Sequence, residues 1–242
     1  MLRRPGHAWP VIVGANRDEM INRPWEEPAR HWPDRPEVVA GRDTLAGGSW
    51  LGLNDFGVVA AVLNRHGSLG PAPGQRSRGE LVLEALDHAD AREAAAALAA
   101  LEPGAYRTFN LVVADNRDAF WLRHADPSGT LPIAVSEIRP GLSLLAAGDL
   151  DDDTPRLVRY RPLFAAAEPP DPAHARYDGW ELLLCDGGDG AEHAMRFRTA
   201  SGFATISSAI IALPSVETPD ARARFRFAAH QPQAAPWHDV RL

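Results

Sequence analysis

Four polar residues, Asn16-Arg17-Asp18-Glu19, stand directly behind the apolar run Val11-Ile12-Val13-Gly14-Ala15. They offer an amide, a guanidinium and two carboxylates, groups that can orient a nucleophile or lower the pKa of a nearby thiol. The apolar run reads as a short buried strand and the four residues behind it as a polar turn. Asparagine and aspartate are ordinary turn residues. The same tripeptide recurs at Asn116-Arg117-Asp118, where it reads as a plain hairpin turn. The tripeptide alone therefore says little, and its surroundings must decide.

Other chemistries are thinly represented. The chain has no GxSxG elbow, HExxH, CxxC or phosphate loop. Its single cysteine, Cys185, ends an apolar run and reads as a small buried hydrophobe. The nine histidines show no paired metal-ligand spacing and read as solvated or capping groups. The acids Asp149, Asp151, Asp152 and Asp153 do not form a calcium loop, because Thr154 and Tyr160 stand where glycine and glutamate are needed. They read as acids favoured ahead of a helix N-terminus.

Composition narrows the class. A chain of 242 residues with 45% hydrophobic and 24% charged residues is ordinary globular protein, and no apolar run approaches the roughly 20 residues of a membrane span. One cysteine excludes an internal disulfide framework and suits a reducing, cytoplasmic setting. The net charge of −7 argues against nucleic acid as a partner. All 25 basic residues are arginine, which suits a GC-rich, bacterial gene and removes Schiff-base chemistry for want of a lysine.

The elements that must position these residues follow from pattern. Residues 22–36, with prolines at 24, 28, 33 and 36 among tryptophans, read as an extended aromatic-lined loop, and Gly41 to Gly48 as a turn-rich connection. Ser49 to Leu53 and Val58 to Leu63 form a hairpin. Ser77 to Glu80 fits a capping box opening a helix that runs to about Ala100 or breaks near Asp87–Asp90. Strands follow at Tyr106 to Ala114, Ala119 to His124, Ile133 to Ile138 and Leu142 to Ala147. Helices are predicted from Pro155 and over Trp180 to Leu184, then strands at Ala204 to Leu213 and Ala223 to Ala229. Strands in hairpin-linked blocks argue for antiparallel sheets with helices outside them rather than a doubly wound parallel sheet.

The wider context of the first copy, VIVGANRDEMINRPW and then AGRDTLAGGSWLGLNDFGVVAAVLNRHGSLGP, resembles the NRDE family, also called the transport-and-Golgi-organisation family. The resemblance is close over the first 90 residues and looser beyond. It implies a single domain over residues 1–242 with an α+β fold similar to N-terminal-nucleophile (Ntn) hydrolases. That fold is a four-layer αββα sandwich of two mostly antiparallel sheets flanked by helices. Family members begin Met-Cys-Thr and an apolar strand, and the match here starts at Leu2. The expectation is therefore that Met1 lies inside the family's first strand and the cysteine is encoded upstream, with genuine loss of the segment as the alternative; either way the chain as written lacks it.

Two further departures touch chemistry. Asp149 stands where many members have an asparagine that can donate to an oxyanion, and an ionised carboxylate cannot donate. Ala204-Thr205-Ile206-Ser207-Ser208 replaces a Gly-Thr-Arg-Ser-Ser pattern, so an arginine is missing.

In the hydrolase reading, the family's cysteine attacks an amide carbonyl with its own amine as base. Asn16, Arg17, Asp18 and Glu19 flank it, Arg17 and Asp18 orienting the amine. Asn64, similar to the asparagine after a like strand in choloylglycine hydrolases, donates to the oxyanion, and Asp149 completes the set. Trp25, Trp32, Trp50 and Arg65 line the pocket for a small acyl substrate, with no cofactor. The alternative that the resemblance implies is a haem-trafficking protein that holds haem non-covalently near His31 or His66, or a carrier of a lipid or acyl thioester, without catalysis. For both histidines an ordinary surface role is the stronger reading.

Overall fold

The computed structural model describes all 242 residues, as thirteen strands and four α-helices in two compact units. Strands and helices are numbered along the chain.

The first unit comprises Met1–Arg23, Pro140–Leu145 and Asp151–Leu242. It holds β1 (Leu2–Arg3), β2 (Val11–Met20), β10 (Gly141–Leu142), β11 (Phe203–Leu213), β12 (Arg224–Ala229) and β13 (His238–Asp239). They form one antiparallel sheet in the order β10-β1-β2-β11-β12-β13. Its spine is the long pair β2–β11, which runs from Val11 opposite Leu213 to Met20 opposite Phe203. Helices α3 (Pro155–Ala166) and α4 (Asp178–Leu184) belong to the same unit. Tyr160, Phe164, Trp180 and Leu184 from these helices pack with Ile12 and Ile210 of the sheet. The closeness of that packing fixes one glycine: a Cβ on Gly14 would sit 3.0 Å from the Trp180 ring.

The second unit comprises Pro24–Arg139 and Ala146–Leu150. Its seven strands are β3 (Trp25–Ala29), β4 (Val38–Asp43), β5 (Leu51–Asn54), β6 (Val59–Asn64), β7 (Phe109–Ala114), β8 (Ala119–His124) and β9 (Ala134–Glu137). They pair antiparallel in chain order as a simple meander. Helices α1 (Gly79–Leu86) and α2 (Ala91–Ala99) close one face, burying Leu81, Leu86 and Leu98 against Val38, Val58, Leu111 and Leu122. At Gly52 a Cβ would stand 2.7 Å from Leu86 Cδ1 and 2.5 Å from Ala40 Cβ, so only glycine lets α1 lie this low.

The predicted α+β class with two antiparallel sheets and outlying helices holds. So do the hairpin of β5 and β6, the break between α1 and α2, and proline at the start of α3. Four local readings do not. The polar stretch at residues 16–19 is no turn but the second half of β2. Residues 38–43 form β4, and β3 lies within the proline-rich segment. The strand predicted at 142–147 shrinks to Gly141–Leu142.

The capping box is also displaced. Glu80 pairs with Arg76 at 2.7 Å instead of reaching back to Ser77, whose hydroxyl accepts from Gly79 N. True capping lies at α2, where the Asp90 carboxylate accepts from Glu93 N at 2.8 Å and Asp115 accepts from Ala91 N at 2.9 Å.

Candidate functional site

Because Asn16-Arg17-Asp18-Glu19 lie in a strand, alternation sorts them onto two faces. Asn16 and Asp18 share the face of Gly14, against which Trp180 packs. Arg17 and Glu19 point to the other face. A local irregularity in β11 makes this work. Thr205 pairs with Asp18, but Ser207 pairs with Arg17, so Ile206 is an extra, bulged residue. In a regular strand Thr205 and Ser208 would face opposite sides. The bulge brings both hydroxyls to the helix-bearing face, one beside each motif residue.

Asn16 is held from both ends. Its amide nitrogen donates to Leu184 O at 2.9 Å and Met195 O at 2.6 Å, which fixes the amide orientation. Its oxygen accepts from Ser208 Oγ at 2.7 Å. Ser208 Oγ in turn lies 2.7 Å from His230 Nε2, and both residues are buried. Burial, reinforced by the nearby positive charge of Arg196, lowers the His230 pKa to about 4, so the ring is neutral at neutral pH. Asp18 accepts from Thr205 Oγ1 at 2.7 Å and from Arg156 of α3 at 3.3 Å. Desolvation raises its pKa against the opposing pull of these two partners. Asn16 and Asp18 therefore tie the sheet to α3, α4 and the segment around Met195. Every polar atom of the Asn16 amide is committed.

On the opposite face, Arg17 is buried at 7% exposure and stands opposite Ser207. Glu19 lies 3.6 Å from Arg23 and accepts from Met20 N at 2.8 Å. Cys185, at the end of α4, is half-buried; desolvation raises its thiol pKa, the reverse of what a reactive cysteine needs.

The second unit gathers a separate group. Arg65 Nη1 donates to Asn110 Oδ1 at 2.7 Å and to Gly148 O at 3.0 Å, and Nη2 donates to Asp149 at 2.7 Å. Arg123 donates to the other Asp149 oxygen, also at 2.7 Å. Burial works to raise the Asp149 pKa, yet the two guanidiniums hold it below the usual carboxylate range. Asn110, fully buried, donates to Ala146 O and Gly148 O and accepts from Trp121 Nε1 at 3.1 Å. Asn64 ends β6, half-buried, paired across the sheet with Phe109. Asp149 is thus a carboxylate clamped by two arginines.

The aromatic residues separate. Trp25 and Trp50 meet edge to face with ring centroids 5.8 Å apart, and Trp50 covers Gly41, where a Cβ would come within 2.2 Å of the indole. Trp32 instead packs against the core beneath α1 and α2 and donates to Gly47 O at 3.0 Å. His31 has Nε2 2.8 Å from Glu27 O and Nδ1 3.4 Å from Glu26, so a haem iron would have to displace one of these contacts. His66 is exposed. The Thr205, Ser208, His230, Asn110 and Arg123 roles were not singled out from sequence. The signal for the first two was the Thr-Ile-Ser-Ser stretch, whose bulge no pattern announces.

The α+β fold is similar to that of two solved hydrolytic enzymes. Over 95% of this chain and 82% of the other, it superposes on a penicillin V acylase from Agrobacterium tumefaciens with a TM-score of 0.57 at 14% identity. A mutant form of conjugated bile acid hydrolase from Clostridium perfringens matches over 95% of this chain and 88% of that one, with a TM-score of 0.56 at 12% identity. Sequence relationship narrows this further. Residues 2–168 match the family model of Transport and Golgi organisation 2, and the chain belongs to that family. A mouse Transport and Golgi organization 2 homolog is 35% identical over 114 residues, and the human homolog 34%. Those matches cover 45% of this chain and 40% of the relatives' length.

Proposed function

We propose that this chain uses its acylase fold to hydrolyse a C–N amide bond in a small acyl substrate. The observation that carries the reading is the fold itself, shared over nearly the whole chain with an acylase and with a hydrolase of conjugated bile acids. Fold alone does not assign chemistry, so the roles rest on position. Arg17 and Glu19, on the face of β2 away from the helices, are the motif residues that serve the reacting groups. Asn16 and Asp18 hold β2 in place for them. Within the second unit, taken by itself, Asn64 is an amide donor of the kind that can stabilise an oxyanion. In the same unit, the Trp25–Trp50 pair offers an apolar surface suited to an acyl group. The reaction calls for a cysteine nucleophile of the kind that the family resemblance implies. Cys185 does not substitute for it, because burial raises its pKa.

One observation favours a second reading, binding of haem, a lipid or an acyl thioester without turnover. The Asn16 amide and the Asp149 carboxylate are already engaged by internal partners, and neither is available to a transition state. A panel of N-acyl chromogenic amides, assayed on the chain extended by Met-Cys-Thr and on its Cys→Ser form, separates the two. The hydrolase reading expects turnover that is lost with serine. Absence of turnover in both forms, together with equal stoichiometric haem binding, would establish the binding reading instead.

A further inference from the structure

We infer that the end of β2 carries a binding site for a small carboxylate bearing an apolar chain, with Arg198 as its anion partner. An open surface groove of about 450 Å³ lies where the residues after β2 meet the turn that leads into β11, with Met20, Asn22 and Arg198 exposed along it. This is within the size range of small-molecule sites. Its walls include Met20, Ile21, Asn22, Arg198, Ser201 and Gly202.

Two features define what fits. Arg198 is the single charged residue in the lining, and its guanidinium makes no ion pair or hydrogen bond within the protein. Most arginines of this acidic chain are engaged: Arg23, Arg156 and Arg159 of the same unit all face carboxylates. Asn22, in the same lining, carries a second uncommitted donor. Ser201 does not compete as a donor. The Thr199 hydroxyl donates to Phe203 O at 2.9 Å, so the 2.9 Å contact between Thr199 Oγ1 and Ser201 Oγ uses the Ser201 proton. One guanidinium and one amide suit a monoanionic carboxylate, since a phosphate dianion would call for a second cation.

Part of the lining is apolar. Met20 and Ile21 stand close to Gly202, whose Cβ, if present, would lie 3.6 Å from Ile21 Cγ1 and 3.8 Å from Met20 Cε. The walls are also fixed in place. Ile21 N donates to Gly202 O at 2.9 Å, Gly202 N donates to Thr199 O at 3.1 Å, and Gly202 holds a φ of +85° that disfavours any side chain. A carboxylate head at Arg198 and Asn22 with its chain along Met20 and Ile21 satisfies all four groups. The site stands independently of any reaction the protein performs.

The test is calorimetric titration with hexanoate, using hexylammonium as the probe of opposite charge. Hexanoate should bind with a Kd of about 1 mM or tighter, as a ligand of this size allows, and hexylammonium at least about tenfold more weakly. Arg198→Gln should weaken hexanoate about tenfold or more with unchanged circular dichroism. Arg222→Gln, an exposed arginine outside the groove, should leave binding unchanged. The proposal is overturned if hexanoate fails to bind at millimolar concentration, if hexylammonium binds equally well, or if Arg198→Gln binds as the parent does.

Discussion

The same three residues occur twice in this chain and do opposite things. Asn116-Arg117-Asp118 joins β7 to β8. There the Asp115 carboxylate accepts from Arg117 N at 2.7 Å and Asp118 N at 2.8 Å, closing the hairpin, and its other oxygen accepts from Ala91 N of α2. Asn16-Arg17-Asp18 lies in the middle of a sheet, paired residue by residue with β11. In the turn, the residue ahead of the tripeptide organises it, and Arg117 is exposed. In the strand, alternation divides the tripeptide, giving Asn16 and Asp18 to the helices and Arg17 to the other face. The difference teaches that the motif's meaning is set by its strand partner. Thr205 and Ser208, brought to one face by the bulge at Ile206, supply what a turn could not.

The largest contrast should appear between Asn16→Ala and Asn116→Ala. Removing the Asn16 amide leaves Leu184 O, Met195 O and Ser208 Oγ without that partner in a half-buried setting. At about 1 kcal/mol or more for each lost bond the total is roughly 3 kcal/mol. Asn116→Ala should cost within about 1 kcal/mol, as surface turn changes do. Urea denaturation of the two variants checks this, and equal losses would erase the contrast.

His230 sharpens it through pH. Its pKa is about 4 in the folded chain against 6.5 for the free side chain, so the unfolded state takes up the proton first. The stabilisation is fully present above about pH 6.5, falls as pH drops, and is lost below about pH 4. A shift of that size corresponds to about 3 kcal/mol. Unfolding free energy measured from pH 7 to 4 should show a decline that His230→Gln largely removes. A decline of the same size in the variant would place the titration elsewhere.

Arg17→Ala and Arg117→Ala give a smaller contrast. Arg17 is buried at 7% exposure, and its truncation should cost about 2 kcal/mol. Arg117 should cost within about 0.5 kcal/mol. Equal, negligible effects on both stability and ligand binding would reduce the first copy to a plain structural repeat.

Much of the scaffold was readable in the residues, for reasons visible in the structure. The hairpin of β5 and β6, strands β7 and β8, and the second tripeptide's turn each combine a buried apolar run with turn residues. The break between α1 and α2 follows from Asp87 and Asp90, the latter capping the next helix. The second half of β2 escaped because its partners are not apolar. Asn16 and Asp18 are matched by hydroxyls, carbonyls and Arg156, so hydrophobic periodicity carries no trace of the strand. The proposed aromatic wall was half legible. Three tryptophans between residues 25 and 50 looked alike, yet Trp25 and Trp50 meet while Trp32 joins the core under α1 and α2. Nothing in composition distinguishes them. Similarly, Asp149 was singled out for its position, but its clamp by Arg65 and Arg123 depends on strand register far from it in sequence.

The central claim is that alternation along β2 assigns Asn16 and Arg17 to different faces and therefore to different work. A pair of double-mutant cycles tests it most directly. Unfolding free energies would be measured for Asn16→Ala, Arg17→Ala, Ser208→Ala and the two doubles containing Ser208→Ala. Asn16 and Ser208 share a hydrogen bond of 2.7 Å and should couple by about 1–2 kcal/mol. Arg17 and Ser208 lie on opposite faces of the sheet and should couple by less than about 0.3 kcal/mol. Equal coupling in the two cycles, or stronger coupling for Arg17, would contradict the assignment.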